Sequence, residues 1–195
     1  MNVAAILLAA GSATRFGSDK LLHALPHDVA IAIQAARHVR AVFDEVFAVT
    51  RPEAKELAEL LRREGCTVVV CDNAAAGMGA SLACAVRAVH AAGPADAYLI
   101  ALADMPFIRA SSIAAVRDAL AAGAALAAPY FRSRRGHPVG FAASFRPALE
   151  ALQGDEGARK IIQADGKDLV KIPVGDPGVI RDIDTPGDLA PPIIV

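Results

Sequence analysis

Val3-Ala4-Ala5-Ile6-Leu7-Leu8-Ala9-Ala10-Gly11-Ser12-Ala13-Thr14-Arg15-Phe16-Gly17-Ser18-Asp19-Lys20 begins as an uninterrupted apolar run that stops at a glycine. An apolar run without polar alternation predicts a strand covered on both faces, as in a parallel sheet. The loop beyond it is built of small residues and carries two cations, Arg15 and Lys20. Small residues let backbone N–H groups approach a ligand, and cations suit an anion such as a polyphosphate. The spacing is not that of a P-loop, which needs G-x-x-x-x-G-K-[ST], and it is not G-x-G-x-x-G. Five residues separate Gly11 from Gly17, and Lys20 follows three residues later.

The rest of the chain alternates in the same manner. Strand-like runs fall at Ile6–Ala9, Val46–Thr50, Thr67–Cys71, Ala97–Leu102 and Ala124–Ala128, with helix-like segments near Val29–Val42, Glu53–Glu64, Ser81–Ala92 and Ser111–Ala122. Pro52 suits the first turn of the second helix, and Ser111 and Ser112 suit the cap of the fourth. Alternation with short connections predicts an α/β fold with a mostly parallel sheet and helices on both faces. After residue 129 the rhythm breaks. A charged turn (Arg132–Pro138) is followed by a strand at Val139–Phe141, helical pieces at Phe145–Leu152 and Gly157–Gln163, and late strands at Leu169–Pro173 and Val179–Ile183. With no repeat and no long linker, residues 1–195 are expected to form one domain.

Composition narrows the function classes. The formal net charge of −1 gives no global attraction to nucleic acid or an anionic membrane, so any anion site must be local. No apolar run reaches the ~18 residues of a membrane span, and no basic residue precedes the first run as in a signal peptide, so the cytoplasm is expected. Cys66, Cys71 and Cys84 are odd in number and lack C-x-x-C spacing, which fits apolar packing in a reducing compartment.

Ligands of such sheets sit beyond the carboxyl ends of the strands. Gly77-Met78-Gly79-Ala80-Ser81-Leu82 follows one strand and opens a helix, but Leu82 stands where a dinucleotide fingerprint needs a small residue. It reads either as an ordinary strand-to-helix turn or as a turn whose backbone and Ser81 hydroxyl meet a base. Asp104-Met105-Pro106 ends an apolar strand with a carboxylate, a ligand type for Mg²⁺, or else stabilises a turn before proline. Asp182 and Asp184 are either metal ligands or caps before a helix start at Thr185-Pro186. His137, in Arg134-Arg135-Gly136-His137-Pro138, is either a hydrogen-bonded structural residue or part of a basic loop for an anionic second substrate.

Together these residues resemble the molybdenum cofactor nucleotidyltransferases, most closely the cytidylyltransferase branch. The match runs from Leu8-Ala9-Ala10-Gly11 through Arg15-Phe16-Gly17 and Lys20-Leu21-Leu22 to the Gly77–Leu82 turn, Asp104-Met105-Pro106, Gly136-His137-Pro138 and Asp182-Ile183-Asp184-Thr185-Pro186-Gly187-Asp188-Leu189. The resemblance implies a three-layer α/β/α Rossmann-like fold of the nucleotide-diphospho-sugar transferase kind. It implies Mg²⁺-dependent transfer of CMP from CTP to the terminal phosphate of molybdopterin, with release of pyrophosphate. Ala9-Ala10-Gly11 looks like the CTP-using version, since the GTP-using branch has a second glycine there. In that picture Lys20 and Arg15 are catalytic. Ala9, Ala10, Gly11, Arg15, Lys20, Gly79, Ser81 and Asp104 bind the nucleotide, and His137 faces the acceptor. Asp104 and Asp184 bind the metal, with Asp182 as the substitute. The partners implied are the NTP and a molybdopterin-type acceptor, with room for a molybdenum-enzyme maturation factor, and neither nucleic acid nor membrane. Leu25-Pro26-His27-Asp28-Val29 departs from the pattern by lacking a glycine before the first long helix. The competing readings are the same chemistry with another NTP or a sugar or polyol phosphate acceptor, an NAD-dependent oxidoreductase using the Gly77–Leu82 turn, and a non-catalytic nucleotide sensor.

Overall fold

The computed structural model describes residues 1–11, 19–155 and 157–189. The opening apolar run forms β1 (Val3–Leu8), whose side chains feed two separate apolar clusters. Ala5, Leu7 and Ala9 enter one, and Ile6, Leu8 and Ala10 enter the other. A strand covered on both faces has no solvent side on which to place polar residues, which explains the unbroken run. In parallel register, β2 (Val46–Thr50) and β4 (Ala97–Leu102) flank β1, and β3 (Thr67–Val70) extends the sheet beyond β2.

Helices α1 (Ile31–Arg40) and α2 (Lys55–Arg63) cover the first face, whereas α3 (Met78–Ala92) covers the second. Of the later helices, α4 (Ala110–Ala121) joins the first layer, and α5 (Arg146–Glu150) and α6 (Arg159–Asp165) join the second. The assignment follows from the apolar clusters: Ile31, Leu57 and Ile113 pack with Leu7, while Leu82, Leu149 and Ile162 pack with Ile6. The second half of the sheet contains β5 (Leu126–Phe131), β6 (Arg134–Arg135), β7 (Val139–Ala142) and β8 (Leu169–Pro173). The order is β3-β2-β1-β4-β7-β5-β6, with β8 also paired to β5. Because β7 is antiparallel to both β4 and β5, those two run in the same direction. The result is the expected three-layer α/β/α fold with a mostly parallel sheet. No helix among the described residues is long and apolar enough to cross a membrane.

Beyond shifts of element ends, such as the fifth strand at Leu126–Phe131 rather than Ala124–Ala128, the structure differs from the sequence reading as follows. The expected strand at Val179–Ile183 is absent, and Pro177–Ile180 winds into a short 3₁₀ turn. The charged turn after residue 129 is a hairpin, with Arg134 and Arg135 paired to Phe131 and Tyr130. Pro52 lies in the turn before α2 rather than in its first turn. Ser111 and Ser112 do not cap α4, which starts after Arg109. That end is held instead by Asp176, which is only 3% exposed. Its carboxylate accepts from Arg109 N at 2.8 Å, Ser112 Oγ at 2.7 Å and Gly178 N at 3.0 Å. One buried anion therefore satisfies a helix start and the turn that replaced the strand.

Asp176→Ala strands three donors in the interior. The expected loss is about 3 kcal/mol of unfolding free energy in urea melts, with a smaller loss for Asp176→Asn, which keeps an acceptor. A loss under about 1 kcal/mol for the alanine variant would show that these bonds do not hold the second half of the chain.

Candidate active site

The carboxyl ends of β1, β2, β3 and β4 border a cleft of about 640 Å³. Ala10 and Gly11 follow β1, Arg51 and Glu53 follow β2, Asp72 and Gly77 follow β3, and Asp104 follows β4; all line it, together with Lys20 and Ser81. A second cleft of about 700 Å³ opens at the opposite end of β1, beside Asn2 and Val3, and contains none of the expected site residues.

Lys20 is aimed by its local structure. Asp19 Oδ1 accepts from Leu21 N at 3.3 Å, closing a 3₁₀ turn over Lys20–Leu22, and Leu21 is buried beneath it. The Lys20 ammonium then reaches Asp104 Oδ2 at 3.0 Å and Asp184 Oδ1 at 3.2 Å. The carboxylates are tied together through the backbone, because Ile183 N donates to Asp104 O at 2.9 Å. Downstream, Asp188 Oδ2 accepts from Thr185 N at 2.8 Å, Thr185 Oγ1 at 2.7 Å and Asp184 N at 3.3 Å, fixing the turn that carries Asp184. Burial tends to lower the Lys20 pKa, but Asp104 and then Asp184 outweigh it, so the ammonium is held above its ordinary value. Burial raises Asp104, Lys20 opposes this, and Asp182 adds repulsion; the net direction is upward.

The glycine turn closes on another loop. Gly77 has a φ of +114°, and a Cβ there would strike the Gly154 backbone. A Cβ on Gly79 would lie 2.7 Å from Gln153 O, and the Gly79 N–H donates to Gly154 O at 2.7 Å. Gly79 thus packs against residues 153–154, and its N–H is committed there. Ser81 lines the cleft while its hydroxyl donates to Gly77 O at 3.3 Å. Ala9 is buried, and its N–H donates to Val49 O at 2.9 Å. Arg15 lies outside the described residues.

His137 does not line the cleft. The pairing of Val139 with Ile100 brings it level with the end of β4, at the carboxyl edge of the sheet. Its N–H donates to Val179 O at 2.7 Å, and its Nδ1 is buried without a hydrogen-bond partner among the described residues. Burial, reinforced by Arg135, pushes the imidazole from its ordinary value of 6.5 down to about 4. The ring is neutral at pH 7.

Arg51 and Asp72 are charged residues of the cleft that motif reading did not single out. Arg51 Nε is buried and unpartnered among the described residues, and a terminal guanidinium nitrogen stands 3.8 Å from Asp19 Oδ2. Both residues directly follow a strand-like run, so the rule that ligands sit beyond strand carboxyl ends would have found them.

The sequence profile of the MobA-like NTP transferase domain matches residues 5–169. The chain belongs to the MobA-like NTP transferase family. It is 28% identical over 190 residues to purine catabolism protein PucB of Bacillus subtilis (strain 168), covering 93% of this chain and 91% of that protein. Its fold is similar to the crystal structure of Rv0371c from Mycobacterium tuberculosis H37Rv, with a TM-score of 0.84 and 25% identity over 96% of this chain and 94% of that one. A manganese complex of Rv0371c superposes with a TM-score of 0.80 at 24% identity, covering 96% of both chains. A nucleotidyl transferase from Methanothermobacter thermautotroptrophicus, Mth528, shares the fold at a TM-score of 0.78 and 22% identity, covering 96% and 94%. This MobA-like transferase is therefore an enzyme of the nucleotidyltransferase type, a class that acts on nucleotides.

The His137 pKa has a thermodynamic consequence for this MobA-like transferase. Between pH 6.5 and about 4 the unfolded chain binds a proton that the folded chain resists, so stability is present above that window and declines as pH falls through it. Melts of wild type and His137→Gln from pH 7 to 4 should show the variant losing less stability over that interval. Parallel pH profiles would refute the depressed pKa.

Proposed function

We propose that the chain transfers CMP from CTP to the terminal phosphate of molybdopterin or the molybdenum cofactor, with Mg²⁺ and release of pyrophosphate. The observation that carries this reading is the meeting of one ammonium and two carboxylates at the mouth of the strand-end cleft. Lys20 lies between Asp104 and Asp184, at 3.0 and 3.2 Å. In-line displacement at phosphorus calls for positioning and charge neutralisation rather than a protein nucleophile. An oxygen of the acceptor phosphate forms the new bond to the α-phosphorus, and the bond from that phosphorus to the bridging oxygen of pyrophosphate breaks.

The donor set suits a hard divalent ion. Both carboxylate oxygens face the same cationic point, and Mg²⁺ is usually held by one or two carboxylates plus substrate phosphates. Among the described residues no group of three His, Cys, Asp or Glu side chains assembles, which leaves the remaining ligands to substrate and water. Asp104 and Asp184 would hold the ion, with Asp182 as the substitute, and the ion would supply charge neutralisation on the phosphates. Lys20 then exchanges carboxylate contacts for phosphate oxygens and stabilises charge developing on the α-phosphate and the leaving pyrophosphate, with Arg15 as its partner cation. Ala10, Gly11 and Ser81 border the nucleotide, with Ala9 and Gly79 supporting the same loops, and His137 sits on the acceptor side. Ala10 lines the cleft and stands where the GTP-using branch has a second glycine, which supports CTP as the nucleotide.

Pyrophosphate release should be measured with each NTP, Mg²⁺ and either molybdopterin or a sugar or polyol phosphate. CTP with molybdopterin is expected to give the highest kcat/KM, and preference for another pair would replace the substrate assignment. Lys20→Ala should lower turnover by about 10²–10³-fold, the scale of one preorganised charge-stabilising donor. Near-normal turnover of that variant would remove Lys20 from the chemistry.

A further inference from the structure

The β5–β6 hairpin is a charged feature that the nucleotide site does not use. β8 occupies one edge of β5 from Leu126 to Tyr130. β7 at Leu126–Ala127 and β6 at Tyr130–Phe131 therefore share the other edge. β6 thus continues the line of β7 upward, between the directions of β4 and β5. Across β7, Leu126 is level with Tyr98 and Ala127 with Leu99, so Tyr130 and its partner Arg135 stand level with Leu102, the last residue of β4. The hairpin stands on the carboxyl edge of the sheet, and β5 is two strand spacings, about 10 Å, from β4.

The hairpin is fixed in place. Gly136 N donates to Pro129 O at 2.8 Å, and a Cβ on Gly136 would strike Val179 O. The tip holds Arg132 at φ +46° and Ser133 at +66°, left-handed positions that hairpins normally give to Asn or Gly. Such strain is retained where the surrounding structure imposes it, commonly at functional sites.

The faces of the hairpin differ. Tyr130 packs with the cluster that contains Leu8, Ala10 and Leu82, on the α3 side where the cleft opens. Residues paired across a ladder share a face, so Arg135 lies on that side with Tyr130. Lys171 joins them, with its ammonium 5.7 Å from the centre of the Tyr130 ring. Phe131 packs with the opposite cluster, so its partner Arg134 belongs to the other face. Arg135 and Lys171 are exposed and form no ion pair with an acidic residue among the described residues. An anionic nucleophile approaching Asp104 and Asp184 meets two carboxylates of its own sign. A pair of uncompensated cations beside that route would offset the repulsion.

We propose that Arg135 and Lys171, flanking Tyr130, bind the phosphate of the acceptor and lead it to the cleft. The inference rests on the reading of the protein as a transferase to a phosphate acceptor, and it assigns the acceptor subsite within that reading. Arg135→Glu and Lys171→Glu should each raise the KM for molybdopterin about tenfold or more, the effect of losing a charge-assisted hydrogen bond, while the Kd for CTP stays within about twofold. Arg134→Glu, with the same charge change on the opposite face, should shift the acceptor KM by less than about threefold. Equal effects at positions 134 and 135, or none at 135 and 171 in variants with wild-type melting curves, would overturn the subsite.

A second measurement separates this from failure of the functional reading. Glycerol phosphate titrated into the wild-type protein with CTP bound should saturably shift the NMR signals of the Arg135 Nε–H and Lys171 ammonium groups. A saturable shift with no CMP transfer to any acceptor would refute the transferase reading and leave the anion subsite standing. No shift would refute the subsite even in an active enzyme.

Discussion

The ammonium of Lys20 between Asp104 and Asp184 is the contact on which the site's organisation depends. Lys20 comes from the loop after β1, Asp104 from the end of β4, and Asp184 from the segment just before the Pro186–Leu189 turn. Asp104 is the carboxylate that needs a cation: burial holds it above its ordinary range despite Lys20. An electrostatic knot of this kind draws the end of the chain onto its beginning. It also leaves the carboxylates facing a single point, so that a second cation arriving with substrate phosphates would find its ligands aligned. Lys20 is 12% exposed in its side chain, dry enough for the contacts to matter and open enough to be exchanged.

That knot requires the C-terminal segment to be held at the carboxyl edge, and the second half of the chain is built to do this. Asp176 fastens the Pro177–Ile180 turn to the start of α4. Val179 O receives the His137 N–H, and Ile183 N binds Asp104 O. The segment from Asp176 to Ile183 thus touches the helix layer, the hairpin and the strand end in succession. A regular strand over Val179–Ile183 would have offered its backbone groups to a sheet neighbour rather than to these three elements. The irregular backbone is what carries Asp184 to Lys20.

The parallel half of the fold was legible in the sequence because its central strands, β1, β2 and β4, are covered on both sides. Val46–Thr50 and Ala97–Leu102 appear as unbroken apolar runs with the boundaries the structure gives. The second half was less legible. Val179–Ile183 has strand-like composition, but its conformation is set by a carboxylate three residues upstream and by contacts with α4, neither of which leaves a local pattern. The same tertiary override explains α4, whose serines look like caps while Asp176, distant in sequence, does the capping. In the site, Lys20 and Asp104 were readable as charges interrupting small or apolar stretches, and the pairing of Lys20 with both acids was not. Gly79 reads as a residue kept small for a ligand, whereas its Cα abuts Gln153 and its N–H serves Gly154. Glycine spacing reports that something approaches closely, and the sequence alone does not say what.

The antiparallel β7 gives the fold its asymmetry. In a wholly parallel sheet every strand enters the carboxyl edge from below and leaves it as a loop, so the rim is lined by turns. Inserting one reversed strand between β4 and β5 brings the chain down from above, through β6 and His137, before it pairs with Ile100. The strand that descends there has to start at the carboxyl edge, and the Arg132–Arg135 segment, paired to β5 as β6, is that beginning. The cleft lined by strand-end loops and the raised basic hairpin at the same edge of the sheet therefore arise from one topological step. A reversed strand next to β4 thus raises a second wall at the carboxyl edge without disturbing the loops that follow β1, β2 and β3.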